Sequence, residues 1–144
     1  MRHQRTLATG LAAGLAGLIL VVAGSTYPRV PKDVATAEKV WRQLGIENYT
    51  LDIAVDDCMA CGGPEPLRYS AVVTNGEKTS ETDPPGQKPG YAPTVEDLFR
   101  TLEVVGPDGA TATYNDVGVP IEMHIDAPEV ADDQAHYTVT FTET

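Results

Sequence analysis

The sequence predicts an α+β fold of two layers, with an antiparallel sheet of four to five strands and two amphipathic helices packed on one face. Two observations lead to this expectation. Apolar residues recur at helical spacing in two separate segments, and the segments after each of them alternate apolar and polar residues, as half-buried strands do. The order is then helix, two strands, helix, three strands. We expect the second face of the sheet to carry polar side chains and to lie in water.

Both predicted helices have start and stop signals. The first is expected to run from an N-cap at Asp33 to Gly45. The second is expected between Thr94 and Gly106, where Thr94 and Asp97 have the spacing of a capping box. The apolar stripes consist of Val34, Ala37, Val40, Trp41 and Leu44 in the first helix and of Val95, Leu98, Phe99 and Leu102 in the second. Each stripe is suited to packing one helix face against a sheet.

The strands are predicted from alternation. "YTLDIAVDD" places Tyr49, Leu51, Ile53 and Val55 on one face, and "LRYSAVVTNGEKTS" gives a second strand that ends in an Asn75-Gly76 turn. Three later strands are expected in "ATATYN", "VPIEMHID" and "HYTVTFTE". The inward positions of the last two are Met123, Ile125, Tyr137, Val139 and Phe141.

The chain is strongly acidic, with 10 Lys and Arg against 21 Asp and Glu and a formal net charge of -11. Two of the cations, Arg2 and Arg5, lie near the N-terminus, so the remainder is more acidic still. Binding to nucleic acids and to anionic lipid headgroups depends on clustered Lys and Arg. The composition therefore excludes nucleic acid as a partner.

The first 25 residues are predicted to be a signal peptide or an N-terminal membrane anchor. Arg2, His3 and Arg5 precede the uncharged stretch 7–23, and Ala23, Gly24 and Ser25 suit a signal-peptidase site. Residues 26–32 are expected to form a linker and residues 33–144 a single domain. The protein is thus predicted to be extracytoplasmic, either secreted or anchored through an uncleaved segment 7–23. Ser25 stands where a lipoprotein signal would have its acylated cysteine, so no lipid is expected there.

Several motifs together resemble a known family. They are the Trp41 helix leading to "YTLDIAV", a pair of close-set cysteines, "TVEDLF", "YNDVGVPIEMHID" and "ADDQAHYTVTF". As an ordered set, they resemble the bacterial exported family catalogued as domain of unknown function 6174, over nearly all of the chain after residue 25. The resemblance implies an exported location and a shared fold. It implies no catalytic residues, and the serine at position 25 departs from the lipoproteins that are common in the family.

The two cysteines, Cys58 and Cys61, lie in "DDCMACGGPEP". A redox-active C-x-x-C motif stands at the start of a helix, and the glycines and prolines that follow Cys61 argue against a helix there. A zinc site needs two further ligands, and no pattern in the sequence brings this loop to a histidine. A local disulfide is the favoured interpretation for an exported protein, and it would stabilise the fold by about 2 kcal/mol.

His124 and His136 are the second candidate for chemistry. If their strands form a hairpin, they lie opposite each other on the wet face, close enough to share a metal ion or to respond together to acid. The simpler alternative, a pair of solvated side chains, is the favoured interpretation. The acidic loop with Asp126, Glu129, Asp132 and Asp133 offers oxygen ligands, but it lacks EF-hand spacing, and a solvated turn is favoured.

No constellation for hydrolysis or cofactor binding is present in the sequence, which predicts no enzyme and no cofactor. The leading hypothesis is an exported module that binds or scaffolds a protein partner at the cell envelope. Tyr27, Met59 and Tyr91 are the loop residues expected to form its apolar patch. The alternative is a metal-binding or metal-responsive extracytoplasmic domain that uses His124 and His136 or the acidic loop.

Overall fold

The computed structural model describes residues 30–56, 65–126 and 134–144. The described residues form two helices and six strands. These elements are α1 (Val34–Leu44), β1 (Tyr49–Asp56), β2 (Leu67–Thr74), β3 (Glu77–Thr82), α2 (Val95–Val105), β4 (Ala110–Tyr114), β5 (Pro120–Asp126) and β6 (Gln134–Glu143). The α+β class expected from the sequence is confirmed.

All six strands form one sheet in the order β3-β2-β1-β6-β5-β4, and every neighbouring pair is antiparallel. The expected count of four to five strands was wrong, because Glu77–Thr82 returns alongside β2 as a sixth strand. Its residues are all polar and almost all exposed, so it shows no alternation. An edge strand needs no apolar face, and the turn before it at Asn75 and Gly76, both with positive φ, was the one visible signal.

Both helices begin and end as predicted. The Asp33 side chain accepts a hydrogen bond from the Thr36 backbone N–H, and Gly45 ends α1 in the left-handed conformation. At α2 the capping box is complete, since Thr94 and Asp97 each accept from the other's backbone N–H. Local capping therefore defines both ends of the first helix and the start of the second.

The core lies on the face of the sheet that carries the odd-numbered residues of β1. There the Trp41 ring of α1 meets the rings of Tyr49 and Phe141 edge-on, at centroid distances of 5.4 and 5.8 Å. The backbone N–H of Val95 in α2 donates to the Tyr49 hydroxyl on the same face. Glu122 and His124 of β5 and His136 of β6 point to the opposite face, where their side chains are accessible to solvent.

Several residues named in the sequence interpretation lie outside the described ranges. These are the N-terminal segment 1–25, most of the linker 26–32, both cysteines, Tyr27, Met59, and the loop acids Glu129, Asp132 and Asp133. Neither helix of the described ranges is long and apolar enough to cross a membrane.

Candidate metal centre

His124 of β5 and His136 of β6 are directly paired across the sheet. β5 and β6 therefore pair in the way that the sequence interpretation required for both histidines to lie opposite each other on the solvent-exposed face. The rings are stacked, with centroids 4.2 Å apart and planes 5° from parallel. Antiparallel pairing with fixed register holds the two Cα atoms together, so this proximity is a property of the strand ladder.

Glu122 joins the two histidines. It lies two residues before His124 on β5 and therefore projects from the same face. Its Oε1 atom is 3.1 Å from Nε2 of His136 and 3.8 Å from Nε2 of His124. One carboxylate oxygen is thus within reach of both imidazoles.

One ligand atom from each of these three residues lies within 4.8 Å of the other two. Imidazole nitrogen and carboxylate oxygen bind zinc at about 2.0–2.2 Å. The three ligand atoms must therefore move somewhat closer to one another before they can share an ion. The lone pair of an imidazole nitrogen lies in the plane of its ring. Because parallel stacked rings cannot both point at one ion, at least one ring must rotate. The side chain of His124 is 61% exposed and that of His136 25%, so His124 has the greater freedom to do so.

Of the four acids in the acidic loop, only Asp126 lies within the described residues. Asp126 pairs with Gln134, one step along the face from the histidines, and it is not among the three converging residues. The carboxylate that does converge is Glu122, which the sequence interpretation missed. The sequence did contain a signal for Glu122: it lies two residues before His124, and residues two apart in a strand project from the same face.

The last described residue before the cysteine segment lies beside the histidines. Asp56, the last residue of β1, pairs directly with His136, because β1 and β6 are neighbours in the sheet. The chain therefore enters segment 57–64 beside the histidine pair. Cys58 and Cys61 themselves lie outside the described residues, so the interpretation of this pair stays a prediction. The β1–β6 pairing joins the first and last strands, which no local pattern could have shown.

A second polar cluster lies at the edge of the core. Glu96 of α2 accepts hydrogen bonds from the Trp41 indole at 2.9 Å and from the Tyr49 hydroxyl at 3.2 Å. Burial, and then the negative charge of Glu96, raises the pKa of Tyr49, while the hydrogen bond from the Val95 backbone acts in the opposite direction. These contacts join α1, β1 and α2, and we assign the cluster a structural role.

A sizeable cavity among the described residues lies away from the histidines. It has a volume of about 560 Å³ and lies between α1, the end of α2 and β4. Its walls include Leu102, Ala112 and Tyr114, with Asp33, Glu38, Glu103 and Lys32 also contributing. Asp33 already caps α1, and no histidine lines this space. The converging ligand atoms of Glu122, His124 and His136 are therefore the better guide to chemistry.

The comparisons with known proteins identify a family and little else. A family model described as "Family of unknown function (DUF6174)" matches residues 33–143. No curated protein and no solved structure matches the chain. The match begins at the cap of α1 and ends at the last residue of β6, so it spans all of the described helices and strands.

Proposed function

The chain belongs to the family of unknown function DUF6174, and we propose that it binds a divalent transition-metal ion through Glu122, His124 and His136. The observation that supports this most directly is the position of one Glu122 oxygen close to both imidazole nitrogens. The match of the family model to residues 33–143 confirms the resemblance to this family that the sequence motifs indicated.

The ligand set favours particular ions. Imidazole suits Zn²⁺, Cu²⁺ and Ni²⁺, whereas Ca²⁺ and Mg²⁺ prefer sites made of oxygen atoms only. Two imidazoles and one carboxylate are also the protein ligands of several zinc sites that keep an open position. We therefore expect zinc or a neighbouring late transition metal to bind, and calcium to bind much more weakly.

The site is held by the sheet and lies apart from the core. β5 and β6 are each paired on both sides, and Met123 beside the site is fully buried on the opposite face. The fold thus positions the ligands without help from an ion. Metal binding should add stability through mass action and should not be required for folding, unlike in a zinc finger.

The test is to titrate the full chain with Zn²⁺ in a calorimeter and to measure the binding affinity. His124→Ala and His136→Ala should each lower the affinity by at least about tenfold, since each removes a direct ligand. Glu122→Gln keeps the size of the side chain and should also weaken binding. His3→Ala is the matched control, because it removes the remaining histidine of the chain far from the site in sequence.

The cysteines need a control of their own, since thiolates bind zinc strongly. The double variant Cys58→Ser and Cys61→Ser should retain the tight site. If the histidine variants bind Zn²⁺ as the wild type does, or if the serine variant loses the site, the proposal is wrong. Far-ultraviolet circular dichroism on each variant checks that the sheet is intact.

The exported binding module remains a prediction alongside this site. Of the three loop residues expected to form an apolar patch, only Tyr91 lies in the described ranges, where it is 60% exposed. We propose export from the N-terminal pattern, and a protein partner is tested by crosslinking in intact cells. Recovery of no specific partner would count against the scaffold hypothesis and leave the metal site unaffected.

A further inference from the structure

We infer that the ion at this site keeps an open position for a second ligand that joins a nitrogen donor to a positive charge. The inference rests on the proposed function and adds the chemical class of the ligand. It follows from the number of protein donors, the shape of the surface beside them and the charges around it.

The number of donors leaves the coordination incomplete. Glu122, His124 and His136 are the only His, Cys, Asp or Glu side chains that converge in groups of three or more within the described ranges. Zinc takes at least four ligands, so a donor from outside this group completes the shell. Because all three residues project from the wet face of the sheet, the remaining position opens toward solvent.

A depression beside the histidines gives the second ligand a place to lie. It has a volume of about 240 Å³ and extends along the sheet from the His124–His136 pair to the Asp126–Gln134 pair. Both pairs project from the same face, one step apart along the strands. A ligand that reaches the ion through this depression passes the carboxylate of Asp126.

The charges around the ion select for a cation. Asp126 lies on one side of His124, and Asp56 is paired with His136 on the other strand, so carboxylates flank the site in two directions. The positive charge of Arg68 projects from the same face. It lies on β2, which is two strands away from β6 in the sheet, a separation of roughly 10 Å between the strands.

A divalent ion contributes a charge of +2, and the carboxylates of Glu122, Asp126 and Asp56 together contribute −3, so the loaded site keeps a formal charge of −1. This charge repels an anionic arm on the donor and attracts a positively charged one. Late transition metals accept imidazole or amine donors readily, which makes nitrogen the favoured ligand atom.

The experiment uses the full chain carrying Cys58→Ser and Cys61→Ser, loaded with Co²⁺ as a coloured substitute for zinc. Two probes are titrated while the visible spectrum is recorded. One is an imidazole with an aminopropyl arm, which is cationic at neutral pH, and the other is an imidazole with a carboxyethyl arm, which is anionic. The donor atom and arm length are matched, so a difference in affinity reports the charge of the arm.

We expect both probes to change the Co²⁺ spectrum and the cationic probe to bind at least about threefold more tightly. Asp126→Asn should reduce this preference, and so should high salt, while the control Asp116→Asn in the β4–β5 turn should not. If Co²⁺ binds but the two probes have equal affinity, or neither changes the spectrum, the inference is overturned. Failure of Co²⁺ to bind, or binding that survives His124→Ala, would instead refute the proposed function.

Discussion

The indole nitrogen of Trp41 in α1 lies 2.9 Å from Oε1 of Glu96 in α2, although the two residues are 55 positions apart. The second oxygen of the same carboxylate accepts from the Tyr49 hydroxyl in β1. Trp41 is 4% exposed and Tyr49 1%, so water has little access to replace these partners. One carboxylate near the surface thus connects both helices to a central strand.

Removal of this carboxylate should destabilise the fold. Glu96→Ala leaves two buried donors without their acceptor, and we expect the free energy of unfolding to fall by about 1–3 kcal/mol. Urea denaturation measures the change. The control is Glu103→Ala, an exposed glutamate of the same helix, which should change stability by less than about 0.5 kcal/mol. Equal losses in the two variants would show that the Glu96 contacts contribute nothing specific.

Gly118 and Gly86 form a matched pair for a second prediction. Both have φ of +87°, but a Cβ added at Gly86 would meet nothing within 4 Å. A Cβ added at Gly118 would collide with the backbone carbonyl of Ala37 and lie 3.2 Å from the backbone nitrogen of Trp41. We expect Gly86→Ala to cost about 1–2 kcal/mol, because only the backbone conformation opposes it. Gly118→Ala should cost a further 1–3 kcal/mol or so, because the turn must move away from α1. Thermal unfolding of both variants tests this, and similar midpoints would contradict the close contact.

The sequence predicted the parts of this structure that depend on local chemistry. The caps at Asp33 and Thr94 follow from side chains that reach backbone groups within three residues, and period-two alternation placed His124 and His136 on one face. β3 was missed because a polar edge strand has no alternation to detect. The approach of Asp56 to His136 was missed because it depends on pairing between the first and last strands. Nonlocal pairing of this kind is set by the packing of the whole sheet.

The capping box of α2 gives a third prediction. Thr94 accepts from the Asp97 backbone N–H, and its own N–H and hydroxyl donate to the Asp97 carboxylate. Thr94→Ala should lower the free energy of unfolding by about 1 kcal/mol, since it removes the hydroxyl that caps the first turn. Thr94→Ser keeps that hydroxyl and should retain most of the stability. Chemical denaturation distinguishes the two, and a serine variant as unstable as the alanine variant would rule out capping as the cause.

The buried hydroxyl of Tyr49 makes stability depend on pH in the alkaline range. Burial and the Glu96 charge raise the pKa of Tyr49 above the value of about 10 for an unfolded chain. Below that pH both states hold the proton, and the contribution to stability is fully present. Above it the unfolded chain releases the proton while the native state retains it. The free energy of unfolding should therefore fall as pH rises from about 10, by at most about 1.4 kcal/mol per pH unit for this group.

Tyr49→Phe separates this effect from the rest of the chain. The variant loses the hydroxyl and starts from a lower stability, but its free energy of unfolding should decline less steeply above pH 10 or so. Burial also raises the pKa of Tyr69 and Tyr114, so part of the slope should remain. Tyr91→Phe serves as the control for the substitution itself, because Tyr91 is 60% exposed and lies outside the core. Parallel pH profiles for the wild type and Tyr49→Phe would mean that the hydroxyl already ionises in the native state as it does in the unfolded chain.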